Sequence, residues 1–438
     1  MNTPPPSPAP LRPTASRGRW RRLLATLAVL PFGLLASATA QESADPFAPY
    51  ALLATHPSTS AAPGSLLLDL DGVGFFRNAE TATPYTQGYS ALAVRLQPTL
   101  RYHLGRQAVV RAGVELEGYA GSDSLHRVRP VVELEYAPTP WLRLVVGELY
   151  GSLSHRLEAP LYDPERYFAP NRAYREEGLQ LLTSTHHYDG DTWLSWDHLM
   201  LPWTADQERF TVGSRHHLSG AWGDWQWTLP VAAVVSHVGG EYSVLDSCVE
   251  SLANESFGVE LARSFSSAHL RHTVGASLLG FLFQNISPAD HRFYSTSAYH
   301  TPSTEGEALY ARLRWQATAG AAHRLTAQAG LWASEGYLAS RGSYAFQSVS
   351  WRDASPHADK QLPPGAPPWA QTDTALYTPS RRLLTFGLQY EHHFDAVTLG
   401  LSVDAYTDLR LHRTDLYVGL VLRMRHSLRL LQLPSSAD

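Results

Sequence analysis

The chain has 438 residues, a formal net charge of −5, 44% hydrophobic and 17% charged residues, and one cysteine, Cys248. A single cysteine excludes an internal disulfide, and the mildly acidic balance leaves no nucleic-acid footprint. Past residue 40 no run of about 18 apolar residues occurs, which excludes helical membrane spans and leaves strands open.

Residues 1–40 read as an export signal: Arg17, Arg19, Arg21 and Arg22 precede an apolar core from Leu23 to Leu35, and Ala38-Thr39-Ala40 forms a small-residue cleavage site. Residues 41–64 then read as a periplasmic lead-in. From 65 onward the pattern changes to strict alternation, clearest between Leu92 and Gly147. Leu92, Val94, Leu96, Leu100 and Tyr102 share one face, and Arg95, Gln97, Thr99, Arg101 and His103 share the other. Val110, Ala112, Val114 and Leu116 oppose Arg111, Glu115 and Glu117. Val128, Val132, Leu134 and Tyr136 oppose Arg129, Glu133 and Glu135. Such alternation marks strands with one dry and one wet face.

Sixteen such segments can be traced: 65–77, 90–104, 107–119, 127–137, 141–150, 177–187, 191–200, 208–218, 222–236, 255–265, 268–283, 307–317, 322–333, 382–393, 395–406 and 414–425. The alternation is weakest over 177–187 and 191–200. Short links, such as those at Gly105, Gly220 and Gly320, alternate with connections that are mostly long, such as 151–176, 237–254, 284–306 and 334–381. The pattern predicts an all-β fold: a single antiparallel up-and-down transmembrane barrel over 65–425, with long extracellular loops, short periplasmic turns and a tail at 426–438. The expected location is the outer membrane, with its lipid as partner.

Outward polar residues test that register. His216, Asp224, Arg263 and His272 all fall near the short-turn end of their strands, where a charge costs little. Pro98, Pro130 and Pro230 lie inside proposed strands and lack a ladder donor, so each is expected to need a bulge.

The segment Phe75-Phe76-Arg77-Asn78-Ala79-Glu80, through Pro84-Tyr85 to Arg95-Leu96-Gln97-Pro98, resembles uncharacterised porin-like outer-membrane barrels of the Bacteroidetes. Tyr167-Phe168-Ala169-Pro170-Asn171, followed by Glu177-Gly178, is similar to the same group. The resemblance implies location and fold and supplies no substrate.

Three residue sets carry candidate chemistry. The first is a lumen charge cluster of Arg95, Arg101, Arg111, Glu115, Glu117, Arg129, Glu133, Glu135 and Arg143, with Glu115 expected near Glu133 and Glu135 opposite Arg143. It would either set permeation through a pore or brace the wall as ion pairs. The second is histidine: three adjacent pairs, His186-His187, His216-His217 and His392-His393, map to the short-turn end. They lack metal-ligand spacing and read as an interfacial girdle. The third is loop aromatics, Tyr162, Tyr167, Phe168, Trp351 and Trp369, which would either capture a glycan or pack over the lumen. No G-x-S-x-G or phosphate loop occurs. The sequence therefore predicts a non-enzymatic, porin-like channel for small polar solutes, without metal or cofactor. Alternatives are a barrel-anchored glycan- or ligand-binding protein, an outer-membrane hydrolase, and a soluble exported β-rich domain.

Overall fold

The computed structural model describes residues 47, 50–54, 61–151, 153–170, 174–201, 207–239, 250–287, 304–348 and 378–433. The signal segment, Cys248, Trp351 and Trp369 lie outside the described residues. Sixteen strands form the wall. The first eight are β1 (Ser65–Glu80), β2 (Tyr89–His103), β3 (Ala108–Tyr119), β4 (Arg127–Thr139), β5 (Leu142–Glu148), β6 (Glu177–Ser184), β7 (Tyr188–His198) and β8 (Glu208–Trp222). The second eight are β9 (Trp225–Gly239), β10 (Glu250–Ser267), β11 (Leu270–Asn285), β12 (Glu305–Ala319), β13 (His323–Glu335), β14 (Ser380–Phe394), β15 (Val397–Asp408) and β16 (Arg413–Gln432). Each strand pairs antiparallel with its chain neighbours, and β1 seals against β16 to close the barrel.

Alternation determines which side of the wall each residue occupies. Val132 is 62% exposed on the outside while its neighbour Glu133 is 1% exposed inside. Leu92, Val94, Val128, Leu313 and Leu331 continue the outer apolar surface. A closed wall with an apolar outer band is the architecture of an outer-membrane barrel, because only closure pairs every backbone polar group away from water. At the short-turn end the outward polar residues sit among rings. His216 stacks on Tyr188 and accepts or donates a 2.6 Å hydrogen bond with its hydroxyl. His272 lies between Phe265 and Trp315, and Arg263 pairs with Asp224 at 2.7 Å.

Three expectations change. The prolines need no bulge: Pro98 and Pro230 sit where one ladder lapses for two residues and resumes in the same register. Pro130 lies beyond the stretch of β4 that the short β5 covers. Gly113 makes the Pro98 lapse possible, since a Cβ there would collide with the Pro98 carbonyl. At the C-terminal end β16 runs on to Gln432, opposite Ser65, so most of the expected tail is strand. At the other end, residues 50–54 of the 41–64 lead-in enter the lumen. Tyr50 Oη donates to Asp404 Oδ2 at 2.6 Å, and Arg423 Nη1 donates to the carbonyls of Leu52 and Ala54 at 2.6 and 3.2 Å.

The loops after β5 and β13 also fold inward. Leu161, Tyr162, Tyr337, Leu338 and Phe346 pack on Trp193, Phe281, Phe283 and Trp332, which line the long-loop half of β7, β11 and β13. A second inner cluster joins Tyr50, Leu53, Phe75 and Phe168. The core of this barrel is therefore its lumen.

Replacing Val132 by Arg places a charge near the middle of the apolar band and should destabilise the barrel by roughly 2–4 kcal/mol. The same change at Leu104, beside the Gly105 turn, should cost about 0–1 kcal/mol. Urea unfolding in micelles, followed by gel mobility without boiling, measures both.

Candidate functional site

Each of the nine lumen charges has a partner. Arg95 Nε meets Glu117 at 3.3 Å, Arg111 meets Glu133 at 3.3 Å, and Arg143 Nε meets Glu135 at 2.9 Å. Arg101 pairs with Asp69 of β1 at 2.8 Å, and Arg129 with Glu177 of β6 at 2.6 Å. Glu115 is held by Arg175 and Tyr174 of the inward loop, and Arg175 also binds Glu148. Arg95 stacks over the rings of Tyr174 at 3.9 Å and Tyr167 at 4.5 Å. The structure thus brings the cluster together, with a changed register. Glu115 faces Arg129 and Arg111 faces Glu133, because the β3–β4 turn is centred on Ser122. Glu135 lies opposite Val145 yet still reaches Arg143 diagonally.

The inward loop carries a buried network that the sequence did not disclose. His155 is fully buried, with Nδ1 at 2.8 Å from Asp191 Oδ2 and Nε2 at 2.6 Å from Glu176 Oε2. Trp193 stacks on the imidazole at 3.6 Å, Tyr162 donates to Glu176, and Gln180 Nε2 donates to Asp191 Oδ1 at 2.9 Å. Burial works against a charge on His155, but the Asp191 and Glu176 carboxylates outweigh it and push the pKa up to about 9. With both ring nitrogens occupied and no exposure, this histidine ties the loop to the wall. Tyr162 packs edge-on against this imidazole, whereas Phe168, 0% exposed, and the partly buried Tyr167 belong to the second inner cluster, where Tyr167 contacts Phe75, Phe168 and Tyr174.

Two polar constellations face outward at the long-loop end. In the first, His237 of β9 and Ser251 of β10 are paired across the ladder, with Nδ1 and Oγ 2.9 Å apart. His237 stacks on Phe210 at 4.7 Å, and Phe210 lies against Trp196. Such outward aromatics mark the membrane interface. Below Ser251 on the same face, Glu255 is followed by the apolar Phe257, Val259 and Leu261. In the second constellation, on β1 and β2, Ser90 Oγ donates to Asn78 Oδ1 at 2.6 Å and Asn78 Nδ2 donates to Glu80 Oε1 at 3.1 Å. The Phe75–Glu80 motif therefore splits, with Arg77 inside and Asn78 and Glu80 outside. The first constellation forms no sequence motif. His237 and Ser251 are 14 positions apart and meet only through strand register. Among the described residues no group of three or more His, Cys, Asp or Glu side chains converges as a metal site.

A protein family described as lipid A 3′-O-deacylase-type matches residues 58–433 of the chain. No curated protein matches it. Among solved structures, OmpT of Vibrio cholerae is 7% identical with a TM-score of 0.43, covering 84% of this chain and 100% of that one. OprD of Pseudomonas aeruginosa is 9% identical with a TM-score of 0.41, covering 86% and 99%. The anion-selective porin of Comamonas acidovorans is 11% identical with a TM-score of 0.40, covering 83% and 99%. The matching family is one of enzymes, which overturns the expectation of a chain without enzymatic activity.

The His155 network makes stability depend on pH. The folded value lies above the unfolded one of about 6.5, so its contribution is complete below pH 6.5 and is lost as pH rises through about 9. The loss is on the order of 3 kcal/mol at about 1.4 kcal/mol per unit. Thermal unfolding between pH 6 and 10 should show this fall in the wild type and a flatter profile in His155→Asn.

Proposed function

Because the chain belongs to the lipid A 3′-O-deacylase-type family, we propose that it is an outer-membrane hydrolase that releases an ester-linked acyl chain from an outer-leaflet glycolipid. The observation that carries the site is the outward Ser251–His237 pair at 2.9 Å, set beside the interface aromatics Phe210 and Trp196. An ester carbonyl of a membrane glycolipid lies at that same boundary between sugar and acyl chain. A hydroxyl within hydrogen-bond reach of an imidazole is the arrangement nucleophilic ester cleavage requires.

In this reading His237 Nδ1 accepts the Ser251 proton as Oγ attacks the acyl carbonyl. The tetrahedral intermediate collapses and expels the sugar oxygen, which takes the proton from the imidazole. Water, deprotonated by His237, then attacks the acyl-serine ester and frees the fatty acid, returning the proton to Ser251.

The porin-like channel is the second reading, favoured by the barrel architecture and its inward charges. The paired charges and the inward loops speak against an open path among the described residues. Conductance of refolded protein in planar bilayers separates the two.

Purified protein mixed with lipopolysaccharide should lower the mass of the lipid A moiety by one acyl group and release the fatty acid. Ser251→Ala and His237→Ala should each reduce the rate by about 100-fold or more, with unboiled gel mobility unchanged. Full activity in both variants, combined with loss in Ser90→Ala or Glu80→Gln, would move the site to the β1–β2 rim. No acyl release by wild type under any condition would reject the hydrolase.

A further inference from the structure

Adjacent histidines of one strand cannot hold a ligand together, because neighbours on a strand point to opposite sides of the wall. His393 faces inward, with Nε2 3.8 Å from the lumen carboxylate of Glu391. His392 instead continues the outward column of Leu384, Phe386, Leu388 and Tyr390. Strand pairing supplies it with a different partner: it lies directly opposite His323 of β13, and the two Nδ1 atoms are 3.0 Å apart. Tyr390 Oη lies 2.8 Å from the same His323 Nδ1. From these three side chains we propose that the outer face of β13 and β14, at the short-turn end, binds a late first-row transition-metal ion of the class of Zn²⁺ or Ni²⁺.

The backbone brings the two imidazoles close for a definite reason. The His393 amide donates to the Ala322 carbonyl at 2.8 Å, which makes residues 322 and 393 a hydrogen-bonded pair. The next pair, His323 and His392, is therefore of the other kind, whose side chains stand closer together. Their ring centroids are 4.3 Å apart, and Phe394 lies edge-on to His392 at 3.9 Å. Two nitrogens, each about 2.0–2.1 Å from one ion, are about 2.9–3.4 Å apart between square-planar and tetrahedral geometry. The observed separation falls within that span.

Hydrogen bonding alone does not account for the arrangement. Nδ1 of a neutral imidazole carries either one proton or one lone pair. His323 Nδ1 meets two polar atoms, His392 Nδ1 and Tyr390 Oη, and can serve only one of them fully. With both ring protons on Nε2, one ion shares the two Nδ1 lone pairs and the phenol oxygen stands beside it as a third donor. Imidazole nitrogens suit late transition ions, whereas Ca²⁺ and Mg²⁺ prefer sets of oxygen ligands. His323 is exposed, so solvent supplies both the ion and the water for its remaining positions.

Isothermal titration of the refolded full barrel with NiCl₂ and ZnCl₂, and with MgCl₂ as control, tests the site. The wild type should bind either transition ion and no Mg²⁺. His323→Ala and His392→Ala should each weaken binding by at least about tenfold, and Tyr390→Phe by about threefold. An ion held only by the folded barrel stabilises it. Zn²⁺ should therefore raise the temperature at which the unboiled protein loses its folded gel mobility, in the wild type but not in His323→Ala. Without metal, all three variants should keep the wild-type mobility. Changing His186 and His187 of the β6–β7 turn to Ala should alter neither readout. The proposal is overturned if the wild type shows no saturable binding up to about 1 mM. It is also overturned if binding and the thermal shift survive when His323 and His392 are both Ala, or if Mg²⁺ binds as tightly as Ni²⁺.

Discussion

In a closed barrel each strand residue points either to lipid or to lumen, since the pleat has a period of two. The lipid side rejects charge near the midplane, so charges from the mid-strands accumulate inside. In this chain the lumen is narrow in free space as well, because the segment around Tyr50 and the loops after β5 and β13 enter it. Charges crowded together away from water must pair, and they do: Arg95 with Glu117, Arg111 with Glu133, Arg143 with Glu135. Removing one partner would strand the other, a far larger penalty than losing a surface pair. The inner charges and the inward loops therefore depend on one another. Glu115 is the clearest instance, a wall carboxylate whose cation, Arg175, arrives on a loop.

This dependence explains which features the sequence disclosed. Strand number and the face of the strand residues are legible because alternation encodes them directly, and each of the sixteen expected segments overlaps one of β1–β16, whereas the bounds are not: β10 begins at Glu250 rather than 255 and β16 ends at Gln432 rather than 425. Register was less legible. Glu115 was expected near Glu133 and lies opposite Arg129, a slip of an even number of residues. An even slip keeps every side chain on its own face, so the error left the inside and outside assignments intact while changing who pairs with whom. The prolines were misjudged for a related reason. A ladder can lapse on one side of a strand without shifting register, as at Pro98, and the pattern of one strand does not show what its neighbour does.

The loops were hardest to read. Nothing periodic marks a segment that folds back into a lumen, and its hydrophobic residues look like any loop aromatics. Tyr162, Tyr167 and Phe168 read equally as ligand contacts or as packing over the lumen; Tyr162 and Phe168 are buried and Tyr167 is partly buried beside them. One signal was available in retrospect: Leu279, Phe281 and Phe283 put apolar residues on the inward face of β11, where a water-filled pore would carry polar ones. An apolar stretch inside the long-loop half of the wall needs a cover, and only an inward loop can provide it. The candidate reactive pair was illegible for another reason, since Ser251 and His237 become neighbours only once β9 and β10 are aligned.

Filling the lumen also redirects where chemistry can occur. A barrel whose interior is occupied by paired charges and packed rings has two surfaces left on the extracellular side for small polar ligands or lipids: the mouth and the outer rim. They differ in what can reach them. The mouth receives molecules from the aqueous side, and a cavity there is lined by tyrosines and carboxylates. The rim receives molecules that lie in the outer leaflet, and there a hydroxyl and an imidazole stand among interface aromatics. A membrane glycolipid is anchored by its acyl chains, so its ester bonds approach the wall from the side at the depth of the rim. An enzyme acting on such bonds has no need of a pore, and the packed inward face that includes Val234 and Leu252 braces the strands on which the reacting groups stand.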